Sequence, residues 1–181
     1  MILKKQLLLF ILFIPFFAQT QITSPDSMAK AFVASVKAND LEGFKALYPN
    51  RPTMWLIMKD MVTRAGAKEP DSADMEQMLD NMADEYSSMF EKVLRKLKAK
   101  GINARMIGFK KAKLTAYKED EIPGENNTMY KGNITIAANG KDYLLEVSEI
   151  LEYNGAYYGI ELDSVKPAVA VTSKKPVTKR N

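Results

Sequence analysis

Two Asn-Gly pairs, Asn139-Gly140 and Asn154-Gly155, constrain the fold of this chain more than any other feature of its sequence. Both central positions of a two-residue hairpin turn need positive φ, which Asn and Gly tolerate better than other residues. Apolar and polar residues alternate on both sides of each pair, as they do in strands with one buried face. The two turns therefore predict an antiparallel meander in the C-terminal half of the chain.

We expect about four strands in this sheet. The first lies within 102–117, with a possible bulge at Gly108, and a loop at 119–127 follows it. Another strand follows that loop, and the two turns separate the remaining strands. On the third strand, strict alternation puts one set of side chains on a single face: Tyr143, Leu145, Val147, Glu149, Leu151 and Tyr153.

Amphipathic segments precede the predicted sheet. Capping residues at Ser24, Asp40 and Thr53 each predict the start of a helix. The longest helix runs from about Asp71 to Lys100, and its apolar residues form one continuous stripe. Since a sheet with one apolar face must be covered, we expect this stripe to lie on it. The prediction is an α+β fold with N-terminal helices packed on a C-terminal curved antiparallel sheet.

The start of the chain is typical of a secretory signal peptide over residues 1–18. Lys4 and Lys5 precede the mostly apolar run at 7–17, and Ala18 offers a small residue for cleavage. The run is shorter than the ~20 residues of a spanning helix, although an uncleaved anchor is the alternative. We therefore expect an extracytoplasmic protein, periplasmic or secreted, with no stable membrane span after cleavage.

Charge and composition limit the chemistry that follows the leader. The chain has no Cys and no His, which excludes disulfides, thiolate nucleophiles, Cys/His zinc clusters and a His general base. We expect neither a metal nor a cofactor. Residues 19–165, the predicted single domain, hold 19 bases and 22 acids, and 166–181 form a predicted flexible basic tail. This balance argues against a nucleic-acid partner.

Two charge runs flank the middle of the chain. Eight acids and no base lie between Glu69 and Glu91, and ten bases and no acid lie between Lys92 and Lys118. Acids favour a helix N-terminus and bases its C-terminus, which explains most of this pattern. A cationic face for an anionic ligand or surface is the alternative. The acidic run at 119–121 has no EF-hand spacing, so we interpret it as a solvated loop.

Glu149 is the candidate catalytic residue. A carboxylate on an apolar face is costly to ionise, so its pKa would rise, as a general acid or base requires. The alternatives are a bulge near Ser148 that turns Glu149 to solvent, or a buried partner.

Methionines and aromatic residues supply the candidate binding residues. Methionines are concentrated in the third and fourth helices, where core packing or a pliable binding surface explains them better than a soft metal does. The predicted ligand-binding residues are Trp55, Met82, Tyr86, Tyr143, Tyr153 and Tyr158.

The order of these elements resembles that of the nuclear-transport-factor-two-like superfamily, whose fold is a cystatin-type α+β cone. The resemblance implies that this chain is an exported bacterial member. The similarity lies in the Asn-Asp-Leu-Glu break at 39–42, in Leu47-Tyr48 and in the closing hairpin at 143–160. The helices at 53–66 and 71–100 depart from the family pattern, and the long helix can fill the usual pocket. The resemblance implies a curved sheet wrapped on a helix, but superfolds of this kind host many functions.

The sequence favours an exported, non-enzymatic domain that binds a small apolar or amphipathic ligand or a partner protein. Two alternatives stay open. One is an envelope hydrolase or isomerase that uses Glu149 in a cone-shaped pocket, and the other is a structural homodimer.

Overall fold

A computed structural model describes residues 21–64, 66, 71–117 and 127–168 of the protein. The predicted signal peptide, the acidic loop at 119–121 and the tail beyond 168 lie outside these residues. The helices are α1 (Pro25–Ala38), α2 (Leu41–Lys45), α3 (Arg51–Arg64) and α4 (Ser72–Ala99). A short 3-10 helix (Ala104–Met106) leads to the strands β1 (Gly108–Tyr117), β2 (Asn127–Ala138), β3 (Lys141–Tyr153), β4 (Ala156–Tyr158) and β5 (Glu161–Pro167). This order confirms the predicted α+β class.

Side-chain caps set the helix boundaries, as the sequence predicts. Ser24 caps α1 by accepting a hydrogen bond from the Ser27 N–H at 3.1 Å. Asp40 and Asp71 cap α2 and α4 in the same way. The predicted cap at Thr53 is wrong, because Asn50 accepts from the Thr53 N–H at 3.0 Å and α3 already begins at Arg51. Among the described residues, no helix is both long enough and apolar enough to cross a bilayer.

The sheet is antiparallel, with β1, β2 and β3 adjacent in that order and with both β4 and β5 paired to β3. Both predicted Asn-Gly turns are present, and each of their four residues has positive φ. The predicted last strand is divided in two at Gly159, whose φ is 70°. The described strands therefore number five rather than about four. β5 also continues to Pro167, two residues beyond the predicted end of the domain.

A bulge interrupts the side-chain alternation of β3. Gly132 of β2 pairs with Val147, whereas Tyr130 pairs with Ile150, so two residues of β3 are accommodated between these pairs. The second of them, Glu149, has φ 58°, a left-handed conformation that is uncommon for a residue other than Gly. After the bulge, Ile150 is fully buried in the core and Glu149 is exposed.

This bulge changes which residues share a face. The inner face of the sheet, defined as the face that carries Leu145 and Ile134, continues through Ile150 to Glu152. The prediction that Leu151 and Tyr153 share this face is therefore wrong.

The main core lies between the helices and the inner face. It includes Phe32 of α1 and Phe44 of α2, together with Phe90, Val93 and Leu97 from the C-terminal half of α4. Two helices therefore cover the inner face together: α1 lies on β1, and α4 lies on β5.

The N-terminal half of α4 packs differently. Its residues Met75 and Leu79 are buried together with Ile57 of α3, and these three residues stand outside the main core. Arg51 of α3 forms ion pairs with Glu76 and Asp80 of α4, the latter at 2.8 Å. The expectation that the whole α4 stripe covers the sheet is therefore wrong for its first half, which forms a hairpin with α3.

Candidate functional site

A cleft of about 200 Å³ opens where the start of the described chain, the α2–α3 connection and β4 meet. It is smaller than the ~300–1,000 Å³ of a drug-sized pocket, so it suits a single ring or headgroup. Three tyrosines and several uncharged polar residues make up most of its wall. The lining residues are Gln21, Ile22, Ala46, Tyr48, Asn50, Thr53, Tyr157 and Tyr158.

Backbone hydrogen bonds hold the three walls of the cleft together. The Tyr157 N–H donates to the Ile22 carbonyl at 2.9 Å, so the segment before α1 lies along the edge of β4. The Gly159 N–H donates to the Leu47 carbonyl at 2.8 Å, which ties β4 to the end of α2. A Cβ at Gly159 would lie 3.1 Å from the Glu149 carbonyl and 3.8 Å from the Tyr48 ring. Glycine therefore permits both the positive φ and the close approach at this point.

Tyr48 forms the most rigid part of the cleft wall. Its side chain is buried, and its hydroxyl donates to the Ile160 carbonyl at 2.8 Å. Tyr86 of α4 stacks on its ring at a centroid distance of 4.1 Å and an interplanar angle of 22°. Burial raises the pKa of Tyr48, and the nearby carboxylates of Glu161 and Glu149 also raise it. Tyr48 is therefore a neutral, fixed group at physiological pH.

Tyr157 lies beside Tyr130 and Glu152, a hydrogen-bonded pair on the inner face. Its ring lies 5.5 Å from that of Tyr130, centroid to centroid. The Tyr130 hydroxyl donates to Glu152 Oε2 at 2.7 Å. Hydrogen bonds with Tyr157 and with Glu152, in that order, raise the pKa of Tyr130. The bulge in β3 produces this arrangement, because it places Glu152 on the inner face.

Of the predicted ligand-binding residues, the structure brings two to the cleft. Tyr158 lines it directly, and Tyr86 supports it by stacking on Tyr48. The other four lie elsewhere: Trp55 and Met82 in the α3–α4 hairpin, and Tyr143 and Tyr153 on β3 outside the lining. Sequence reasoning missed Tyr48, Asn50, Thr53 and Tyr157 as cleft residues. Tyr157 did carry a signal, since it adjoins Tyr158 after an Asn-Gly turn.

Glu149 does not lie on the apolar face where strict alternation puts it. It is exposed, and the bulge that turns it to solvent is the alternative that the sequence left open. The physical reason is the left-handed residue in β3, which shifts the alternation by one position. The burial on which a catalytic role for Glu149 depended is therefore absent.

The crevice that the described residues leave between α4 and the sheet near Ile160 is small. The crevice there has a volume of about 10 Å³, compared with the ~300 Å³ or more that we would expect of a cone-shaped pocket. Its wall consists of Phe44, Met89, Lys92, Val93, Ile160, Glu161 and Leu162. Aromatic and branched side chains of α2 and α4 thus occupy the position of the expected pocket.

Within the part of the chain that the structure describes, no group of three or more acidic residues is placed to hold a metal ion. Comparisons with family models, with curated proteins and with solved structures find no match to this chain. The site must therefore be interpreted from its own geometry.

Proposed function

We propose that this protein is an exported, non-enzymatic domain that binds a small amphipathic ligand in the tyrosine-lined cleft. The observation that carries the proposal is the cleft itself, in which Tyr48, Tyr157 and Tyr158 adjoin Asn50 and Thr53. Tyrosines present apolar rings with polar tips, and the amide and hydroxyl groups add hydrogen-bonding capacity. Export rests on the composition of residues 1–18, and membership of the nuclear-transport-factor-two-like superfamily rests on the order of helices before an antiparallel sheet.

Fixed walls support a binding role for the cleft. Tyr48 is held by both its hydroxyl and its ring, and the backbone bonds of Tyr157 and Gly159 fix β4 relative to the helices. A preformed site loses little conformational entropy when a ligand binds, so even a small ligand can bind measurably.

Native mass spectrometry of the protein purified from its own envelope tests this proposal. We expect a bound small molecule on the wild-type protein, and its loss in the Tyr158→Ala variant. Tyr117→Ala is the matched control, because Tyr117 lies on β1, two strands away from β3, with which β4 pairs. Retention of the molecule by Tyr158→Ala, with a native circular dichroism spectrum, would place the binding site outside the cleft.

A partner protein is the second candidate, and the surface of the α3–α4 hairpin favours it. Leu56 and Met78 are 56% and 48% exposed, which is unusual for apolar side chains of this size. Asp74, an exposed acid, lies one helical turn before Met78 on α4. Flexible thioethers beside acidic side chains suit a basic amphipathic helix of a partner.

The partner candidate has a direct test. A synthetic basic amphipathic peptide of Leu and Lys should bind the wild-type protein and should bind the Met78→Glu variant several-fold more weakly. Asn81→Glu adds the same charge at another exposed position of α4 and serves as the control. Equal weakening by the two variants would show a charge effect alone and would remove this candidate.

A further inference from the structure

Two tyrosine hydroxyls at and beside the cleft already donate their protons within the protein. The Tyr130 hydroxyl donates its single proton to Glu152 Oε2 at 2.7 Å. The Tyr48 hydroxyl donates to the Ile160 carbonyl at 2.8 Å. Tyr48, which lines the cleft, can therefore accept a hydrogen bond from a ligand through its hydroxyl but cannot donate one.

The charges around the cleft favour the same kind of ligand. Its lining contains no Lys or Arg among the residues that the structure describes. Glu161 and Glu149 are close enough to affect the ionisation of Tyr48, and Glu152 accepts a hydrogen bond from Tyr130, whose ring adjoins that of Tyr157. Lys92 pairs with Glu161 at 2.7 Å and offsets part of its charge. The described lining therefore presents tyrosine rings and uncharged polar groups, with carboxylates nearby.

The N-terminal end of α3 is the part of the described wall that would favour an anion. Most of its backbone N–H groups, however, already donate hydrogen bonds within the protein. The Thr53 N–H bonds to the Asn50 side chain, and the Met54 N–H bonds to the Asn50 carbonyl at 2.9 Å. Pro52 has no N–H. The Arg51 guanidinium turns away to Glu76 and Asp80. Little remains at this helix end to hold a phosphate or carboxylate.

We propose that the cleft selects a ligand with an alkylammonium headgroup. The proposal rests on the function proposed above and narrows its ligand class. Aromatic rings attract such cations through their negative faces, and the tyrosine oxygens accept hydrogen bonds from an N–H or from an attached hydroxyl. The volume of about 200 Å³ suits one compact headgroup rather than an extended chain.

Calorimetric titration of the full mature chain with three probes of similar shape tests the proposal. Choline carries the cation, 3,3-dimethylbutan-1-ol replaces its nitrogen by carbon, and 3,3-dimethylbutanoate carries a negative charge. We expect choline to bind roughly 2- to 30-fold more tightly than the neutral alcohol, the range that one cation–π contact supplies. The anion should bind most weakly of the three.

The possible outcomes separate the two proposals. Equal or tighter binding of the neutral alcohol overturns the ammonium proposal and leaves the cleft as a binding site. Tighter binding of the anion also overturns it. If choline shows no binding up to its solubility limit, the ammonium proposal fails, whereas a co-purified neutral molecule that depends on Tyr158 would still support a ligand site.

Two variants separate the contribution of the cleft hydroxyl from that of the nearby charge. Tyr157→Phe keeps the ring and removes an oxygen from the cleft lining, and Glu152→Gln removes the charge beside Tyr130. Glu152→Gln should weaken choline binding several-fold and leave binding of the neutral alcohol unchanged. Tyr157→Phe should weaken both, because the two probes share the same hydroxyl group. Tyr117→Phe is the control for loss of a hydroxyl outside the cleft. If both variants bind choline as the wild-type protein does, neither group selects the ligand and the argument for an ammonium group is overturned.

Discussion

Gly132 offers the sharpest test of the sheet geometry that underlies the site. It lies in the middle of β2, opposite Leu114 of β1 and Val147 of β3. A Cβ added there would lie 2.1 Å from the Lys113 carbonyl oxygen and 3.0 Å from the Leu114 Cα. All of these neighbours are backbone atoms, so no side-chain rotation can relieve the overlap.

The expected cost of Gly132→Ala follows from this overlap. An ordinary contact between a carbon and an oxygen atom is longer by more than 1 Å, so β1 must move away from β2. Overpacking of a well-packed interior typically costs 1–3 kcal/mol. The φ of 157° at Gly132 adds strain for an L-residue, so we expect a loss of about 3 kcal/mol in the free energy of unfolding. For a domain of this size, that corresponds to a fall in Tm of roughly 6–12 °C.

Urea denaturation of Gly132→Ala beside a matched variant measures the effect. Gly140→Ala is the control, because Gly140 has φ 72° but nothing within 4 Å of the added Cβ. It should lose only about 1 kcal/mol, the backbone cost of a left-handed conformation. The difference between the two variants isolates the steric cost at β1. If Gly132→Ala loses no more stability than Gly140→Ala, the close approach of β1 and β2 is refuted.

Three further predictions concern stability. Replacing Asn154-Gly155 by Ala-Ala should cost about 1 kcal/mol or more, because both residues have positive φ; an unchanged Tm would count against the turn. The pKa of Tyr48 is raised in the folded state, so its contribution is complete below pH ~10, where unfolded tyrosine ionises, and is lost as pH rises further. Urea curves at increasing alkaline pH should show this loss, and Tyr48→Phe should reduce its slope; an equal slope would contradict the assignment. A chain that ends at Lys166 should be less stable than one that ends at Ala168, because Pro167 pairs with Tyr143 and the Ala168 N–H donates to the Asp142 carbonyl; equal Tm values would show that this end of β5 does not matter.

Local chemistry made much of the fold predictable from the sequence. The caps at Ser24 and Asp40 and the two Asn-Gly turns depend on residues within four positions of each other, and the structure has them where the sequence puts them. Periodicity likewise predicted α4 and the alternation of β2.

The bulge in β3 was not predictable in the same way. Glu149 adopts φ 58° although glutamate has no preference for that region, so its sequence carries no signal. Its surroundings include a residue that follows the next turn, since a Cβ built on Gly159 would lie 3.1 Å from the Glu149 carbonyl oxygen. The extra residue in the bulge puts every later residue of β3 on the face opposite to the one that strict alternation predicts. Glu152 and not Glu149 therefore lies on the inner face.

The cleft was unpredictable for a related reason. Its walls come from Ile22, Tyr48 and Tyr157, which are far apart in the sequence and meet only when β4 is tied to α2 and to the segment before α1. Likewise, the apolar stripe of α4 predicts which of its residues are buried but not which element covers them. The sequence therefore could not show that the first half of α4 packs with α3 and the second half with the sheet.

The central claim is that this protein binds its ligand in the tyrosine-lined cleft rather than under α4 or on the α3–α4 hairpin. A map of backbone amide chemical-shift changes during a choline titration tests that claim most directly. We predict that the largest changes occur at Tyr157, at Tyr158 and at the start of α3 around Asn50 and Thr53, which line the cleft. Largest changes at Met78 and its neighbours in the hairpin, or at Val93 and Leu162 under α4, would contradict the account.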